Sequence, residues 1–308
     1  MTRSITALVV TYNRRALLER CLEALAAQTR APARILVVDN ASTDDTRAWL
    51  ATSGWLARDD VELLALDDNT GGAGGFAAGI AHAVATGADW VWLMDDDAEP
   101  HGDALAELAA AAGDPADLYG SVAVCGERLS WMMVPRVGGA AQAILGTADL
   151  PAQPVDVSFI PFLGLLVSRE LVARIGIPEA RYFLAADDVE YCLRARAAGA
   201  SVHLVPGSRI EHPASERYAI RLPGRTVHSL RLVPWKRYYD VRNRLFVARR
   251  HYGAALWYQT IPGQFLRLAM TLMYEPDRLR QMQAFVAGMV DGLRGRGGRR
   301  HEVWGLRP

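Results

Sequence analysis

Along the first hundred residues, unbroken apolar runs alternate with helical stretches. ITALVVTY, RILVVDN, VELLAL and WVWLMDDD are of the first kind, and 15–28, 43–51 and 74–86 of the second. Unbroken hydrophobicity predicts strands buried on both faces, hence a mostly parallel central sheet with helices on either side, a Rossmann-like α/β fold. Further on, the pattern predicts a strand in SFIPFLGLLVS, a helix from Arg169 to Arg174, and a helix in DDVEYCLRARAAG closed by Gly199. The strand SVHLVPG and the segment RIEHP follow. Beyond Arg217 helices are expected, with AALWYQTIPGQFLRLAMTLMY amphipathic and broken near Pro262 and Gly263, and with RGRGGRR mobile. The division this suggests is an α/β domain over 1–216 and a helical segment over 217–308.

Charge sharpens that division. The net charge is zero, but residues 217–308 hold 18 Lys+Arg against 5 Asp+Glu, leaving 16 against 29 upstream. A basic, aromatic-rich tail suits either a solvated face or an anionic surface such as a membrane or a lipid pyrophosphate. No nucleic-acid partner is expected. The three cysteines, Cys21, Cys125 and Cys192, have no CxxC spacing, which argues against a disulfide framework or a thiolate zinc site and fits a reducing cytoplasm. The N-terminus reads as a first strand rather than a secretory leader, and no apolar stretch reaches the length of a bilayer span.

In a parallel sheet ligands gather at the carboxyl ends of the strands. Polar clusters fall at four such ends: 11–14, 39–44, 69–75 and 95–97. In the last, Asp95 and Asp97 turn the same way along an extended chain, and their mutual repulsion is relieved by a hard divalent cation, Mg²⁺ or Mn²⁺, shared with substrate phosphates. The alternative is a solvated acidic turn. Asp39 suits a nucleobase imide or a ribose hydroxyl, or else capping of the following helix with Ser42. NTGGAGGFAAG opens a helix with glycines that admit close backbone approach by an anion or a sugar. The pair Asp187 and Asp188 at a helix start suits N-capping, general-base chemistry, or one of each. His212, before Pro213, suits a structural role or completion of a metal shell.

VVTYNR, VVDNASTDDT, NTGGAGGF, WLMDDDA, FLAADDVEYCLRARAAG and EHP, in that order over residues 5 to about 215, resemble the inverting glycosyltransferases of family 2. With RYYDVRNRLFVARR downstream, they are similar in particular to the galactofuranosyltransferases that begin cell-wall galactan on a polyprenyl-diphosphate acceptor. The resemblance implies a GT-A fold, UDP-galactofuranose as donor, a Mn²⁺ or Mg²⁺ cofactor, and a single inverting displacement. It puts Thr11, Tyr12, Asn13, Arg14 and Asp39 around the uridine and Asn69, Gly71 and Gly72 by the donor. Asp95 and Asp97 then serve metal and diphosphate, Asp96 the ribose or sugar, Asp188 acts as base and His212 as metal ligand. On the acceptor side stand Asp187, Arg242, Asn243 and Arg244, and Trp131 in the exposed-looking WMMVP of the irregular 113–160 stretch. The acceptor is expected to be a lipid-diphosphate-linked glycan, with the protein peripheral on the inner face of the cell membrane. Ala185 and Ala186 stand where chain-extending relatives carry Trp, and 113–160 follows no familiar pattern. Competing readings are a dTDP-rhamnose transferase and a sugar nucleotidyltransferase; the latter lacks a basic Gly-rich triphosphate loop near the N-terminus, and the chain has one lysine, Lys236.

Overall fold

The computed structural model describes residues 3–136, 143–222 and 225–307. Residues 137–142, part of the irregular stretch expected on the acceptor side, lie outside these. The chain divides into two compact units, Met1–Glu179 with Asp188–Ala214, and Ala180–Asp187 with Ser215–Pro308.

The first unit begins β1 (Ile5–Thr11), α1 (Arg15–Ala26), β2 (Arg34–Asp39), α2 (Thr46–Thr52), β3 (Val61–Ala65), α3 (Gly71–Ala85) and β4 (Trp90–Asp95). It continues through β5 (Glu99–Pro100), α4 (Ala104–Ala111), β6 (Leu118–Cys125), β7 (Arg128–Met133), β8 (Ile144–Gly146), β9 (Val155–Asp156), β10 (Leu165–Ser168) and α5 (Arg169–Ile175). The helix α6 (Asp187–Ala197) and β11 (Val202–Glu211) complete it. The strand order is β3-β2-β1-β4-β10-β6-β11-β5. β1 pairs in parallel with both β2 and β4, β2 with β3 and β6 with β11, while β10 runs antiparallel to β4 and β6.

The unbroken apolar runs are explained by which way alternate residues point. Ala7 and Val9 of β1 join a core layer with Leu18, Leu22 and Leu25 of α1. Leu8 and Val10 point the other way, into a layer with Phe76 and Ile80 of α3 and Tyr191 and Ala195 of α6. Both faces are dry, so both sets are apolar. Gly75 and Gly79 let α3 lie close on the sheet: a Cβ on Gly75 would sit 2.5 Å from Val10 Cγ1, and one on Gly79 2.4 Å from Leu8 Cδ1.

SFIPFLGLLVS gives a shorter strand than its hydrophobicity predicts. Pairing begins only at Leu165, because Gly164 turns to φ 92° against Ile210 and Ser121. SVHLVPG and RIEHP contribute to one strand, β11, whose register against β6 shifts between Val205 and Arg209. Ser168 caps α5 by accepting the Leu171 N–H. WMMVP is not exposed: Trp131 and Met132 are half-buried, Met133 is buried, and Trp131 packs against both core layers.

The second unit is not wholly helical. It opens with a hairpin, β12 (Arg217–Leu222) antiparallel to β13 (Arg225–Leu230), which the sequence reading missed. Two β-prone runs around a Pro-Gly pair carried that signal. Then come α7 (Pro234–His251), a π-helical turn (Leu256–Thr260), α8 (Ile261–Tyr274) and α9 (Arg278–Leu293). The expected break at Pro262 and Gly263 is not a break in the helical backbone: the π-helical turn runs straight into α8, with Pro262 in its first turn. The RGRGGRR stretch, expected to be mobile, is held in place. Arg242 Nη1 donates to Gly298 O at 2.7 Å, and Arg300 Nε to Asp291 Oδ2 at 3.0 Å.

Candidate active site

The strands place their polar ends where the four sequence clusters predict. At the end of β1, Thr11 is buried and its hydroxyl donates to Asp96 Oδ2 at 2.8 Å. Arg14 follows, its Nη1 3.3 Å from Asp96 Oδ1 and 2.9 Å from Asp97 Oδ2. Burial pushes Asp96 up to about 6, against the opposing pull of the Arg14 charge and the Thr11 bond. For Asp97 burial also raises the carboxyl, but His212 and then Arg14 outweigh it and hold it below its ordinary value.

His212 arrives from the end of β11, where its backbone N–H donates to Val124 O at 2.8 Å. Its Nε2 lies 3.3 Å from Asp97 Oδ1, an ion-pair approach without hydrogen-bond geometry. Asp97 Oδ1 and His212 Nδ1 are both buried without a hydrogen-bond partner. A carboxylate oxygen withheld from water and facing an imidazole nitrogen has the donor chemistry of a divalent-cation site. The residues therefore fit such an ion. Among the described residues no group of three or more His, Cys, Asp or Glu is gathered to hold a metal. Asp97 and His212 are thus brought together, while Asp95, half-buried at the last position of β4, is not part of a three-residue cluster.

Asn13, at φ 54°, joins the first two strand ends. Its Oδ1 accepts the N–H groups of Thr43 at 2.7 Å and Asp44 at 3.2 Å, and its own N–H donates to Ser42 Oγ at 3.0 Å. Tyr12 beside it is exposed, and an open depression next to both strand ends is lined by Asn13, Arg14, Asp44 and Asp45. Asp39 is buried, accepts the Ser42 N–H and pairs with Arg47. It does not cap α2, whose first turn is instead served by Asp44 accepting from Thr46.

Asn69 Oδ1 accepts the Gly71 N–H at 2.9 Å, which fixes the entry to α3. The organiser of this turn is Asn40, a residue the sequence reading passed over. Its Oδ1 accepts the Thr70 N–H at 2.9 Å and its Nδ2 donates to Gly71 O at 2.9 Å. A buried-run strand ending in two successive polar residues, Asp39 and Asn40, was the available sign. Gly71 takes φ 72°, and Gly72 has open space where a side chain would stand, so of the glycine run these two suit close approach by a ligand.

Asp188 sits in the first turn of α6, its Oδ1 accepting the Val189 N–H at 2.7 Å. It keeps some solvent access, yet desolvation raises its carboxyl to about 6, with the backbone bond pulling the other way. Asp187 before it is buried. The approach to this pair is unusual: Phe183, Ala185 and Ala186 all have positive φ, at 62°, 68° and 62°. Non-glycine residues there cost about 1–3 kcal/mol each and need outside support.

That support comes from α7. Asn243 Nδ2 donates to the carbonyls of Tyr182, Leu184 and Ala185 at 2.9, 2.7 and 2.8 Å. Arg242 Nη2 donates to Tyr182 O at 2.7 Å and Arg181 O at 3.2 Å. Both side chains are fully buried, so their donors are spent on nearby carbonyls, and for Arg242 also on Asn243 and Tyr238, rather than offered to an acceptor diphosphate as the sequence suggested. Arg244 alone of the three keeps exposure, its Nε 2.9 Å from Asp240 Oδ1.

Parallel strands whose carboxyl ends collect an acid pair, a histidine and a glycine-rich helix entry are the layout of a nucleotide-sugar enzyme, and the chain belongs to glycosyl transferase family 2, whose model matches residues 6–175. Among curated relatives, galactofuranosyltransferase GlfT1 of Mycobacterium tuberculosis (strain H37Rv) is 34% identical over 254 residues, 80% of this chain and 83% of the relative. The dTDP-rhamnosyl transferase RfbF of Shigella flexneri is 24% identical over 302 residues, 96% of this chain and 97% of the relative. Among solved structures, the mannosyltransferase PcManGT from Pyrobaculum calidifontis, in complex with GDP-Man and Mn²⁺, superposes with a TM-score of 0.58 at 18% identity, over 95% of this chain and 88% of that one. The fold is thus GT-A-like.

Proposed function

We propose that this glycosyltransferase moves galactofuranose from UDP-galactofuranose, with inversion, to a hydroxyl of a lipid-diphosphate-linked glycan. The observation that carries the reading is the pairing of Asp97 and His212 around an unpartnered buried carboxylate oxygen, in a chain one-third identical to galactofuranosyltransferases. Asp97 and His212 would hold a divalent cation, Mn²⁺ or Mg²⁺, with Asp95 beside them in the chain; when bound it takes up charge that builds on the leaving diphosphate. Thr11, Tyr12, Asn13, Arg14 and Asp39 surround the uridine, with Arg14 placing positive charge beside the two acids it bridges. Asn69, Gly71 and Gly72 present backbone to the donor, and Asp96 faces its ribose or sugar.

Asp188 takes the acceptor hydroxyl proton as that oxygen attacks the anomeric carbon. A carboxyl near 6 is a stronger base than an ordinary aspartate and is still ionised at neutral pH. Asp187, Trp131 and Arg244 belong to the acceptor side. The basic second unit, with Trp257 and Tyr258 each 65% exposed and Met273 68% exposed, suits attachment to the inner face of an anionic membrane. Among the described residues no helix is long and apolar enough to cross one.

A second reading, transfer of rhamnose from dTDP-rhamnose, is favoured by the match to RfbF over nearly the whole chain. Offering purified protein UDP-galactofuranose, UDP-galactopyranose and dTDP-rhamnose, with Mn²⁺ and a synthetic lipid-diphosphate disaccharide, separates the two by product mass. Galactofuranose transfer alone supports the first reading, and rhamnose transfer alone replaces it with the second.

A further inference from the structure

The second unit contains a cavity that the proposed transfer reaction does not use. It lies among the three long helices and is lined by Arg237 and Asp240 of α7, Gln264, Arg267 and Thr271 of α8, and Gln281 of α9. Its enclosed volume is only about 10 Å³, so any ligand larger than a water meets it at its open mouth, where Arg267 is half-buried. Four of those side chains are more than nine-tenths buried and each leaves an atom unpaired: Arg237 Nε, Gln264 Oε1, Thr271 Oγ1 and Gln281 Oε1. Buried polar atoms are costly to leave unpaired, so a convergence of four marks a place built for a polar guest.

The charge around the cavity is unbalanced. Arg237 Nη2 is 2.6 Å from Glu275 Oε1, and Arg244 is bonded to Asp240. Arg267 makes no hydrogen bond or ion pair to another described residue. Three guanidinium groups thus face two carboxylates, and the positive charge left over is the one on Arg267. The strain is visible in Arg267 itself, whose guanidinium is held below its ordinary value first by the Arg244 charge and then by desolvation. Chains seldom leave a half-buried guanidinium unpaired unless something outside them supplies the counter-charge.

We infer that Arg237, Arg267 and Thr271 form a binding site for a phosphoryl anion. Guanidinium groups match tetrahedral phosphate oxygens in pairs, and a threonine hydroxyl adds a neutral donor. Gln264 can join them, because its amide Nε2 holds Val241 O by only a long 3.3 Å bond and rotating the group would present Nε2 where Oε1 stands. α8 also carries exposed Phe265 and Leu266 between Gln264 and Arg267 in the chain, so a phosphate attached to a lipid fits as well as a free one. The site is independent of which sugar the enzyme transfers.

The test is binding of inorganic phosphate to the full chain, followed by calorimetry in EDTA so that no metal-held anion contributes. Alongside it, the protein is sedimented with phosphatidylglycerol and with phosphatidylcholine vesicles. Arg267→Gln is compared with Arg267→Lys and with Arg278→Gln, an exposed arginine on α9 used as a charge-matched control. Melting temperature and Mn²⁺-dependent UDP binding verify that the variants are folded. Saturable phosphate binding weakened about tenfold in Arg267→Gln, partly restored in Arg267→Lys and untouched in Arg278→Gln, supports a site that takes the free anion. Sedimentation with phosphatidylglycerol alone, lost in Arg267→Gln but kept in Arg278→Gln, supports a lipid headgroup as the source. Equal behaviour of Arg267→Gln and the unaltered protein in both assays, or no binding of either probe by the unaltered protein, overturns the proposal.

Discussion

The two acidic groups of this molecule are held in opposite ways. Asp96 and Asp97 are fixed by neighbours from the ends of adjacent strands, with Thr11 and Arg14 from one side and His212 from the end of β11. Their charges are answered almost as soon as the chain leaves the sheet. Asp187 and Asp188 follow a segment of three left-handed residues, and that segment is steadied by Arg242 and Asn243, about sixty positions further along. The first arrangement is set by the sheet and tolerates little motion. The second depends on a distant helix for its backbone geometry and can be disturbed without touching either acid.

The largest effect that would test this contrast is loss of the proposed base. Asp188→Asn should lower transfer by about 10²–10⁴-fold while leaving Mn²⁺-dependent UDP binding intact; near-normal turnover would remove Asp188 from the mechanism. Next in size, His212→Ala should weaken Mn²⁺ binding by roughly 10–100-fold and make turnover depend on added metal, as EDTA does to the unaltered protein. Metal-independent turnover in either experiment would break the assignment of Asp97 and His212.

Asn243→Ala separates the two regions most directly. The carbonyls of Leu184 and Ala185 lose the Asn243 donor and that of Tyr182 keeps only Arg242, so kcat should fall about tenfold or more with the donor KM unchanged, and stability should drop by about 1–3 kcal/mol. A rise in donor KM instead would mean that the 180–187 segment also serves the strand-end site. Acidity gives a further separation. A base raised to about 6 is ionised above that value and protonated below it, so transfer should decline as pH falls through 6. The small residual activity of Asp188→Asn should lack that limb, and its persistence would assign the titration elsewhere. The smallest expected effect is that of Thr11→Val, which keeps shape but removes one bond to Asp96. It should cost about 0.5–1.5 kcal/mol of stability by thermal melting and raise the donor KM a few-fold at most, with kcat kept.

The parts of this molecule that were readable beforehand are those written locally. Continuous apolar runs announced β1, β2 and β4 because both faces of each strand are dry, and Asp95–Asp97 stood out because three acids follow so apolar a strand. Asn40 was not readable, since its importance lies in bonds to Thr70 and Gly71 thirty residues on. Arg242 and Asn243 were noticed for their chemistry but given the wrong partner. Nothing in their local pattern indicates that the carbonyls of 181–185 will take five hydrogen bonds from these two side chains. The hairpin at β12 and β13 was hidden by a basic stretch that reads as a helical surface.

The close seating of α3 on β1 bears on how this enzyme should be altered by design. Replacing Gly75 or Gly79 with alanine would wedge a methyl against Val10 or Leu8 at about 1–3 kcal/mol, and through them displace the strand that ends in Thr11. Such variants would read in a screen as defects in sugar recognition although neither glycine touches a sugar. A library aimed at donor preference should hold both constant and vary Gly72, where the space is open. Part of what looks like a substrate signature in this stretch is joinery between a helix and a strand.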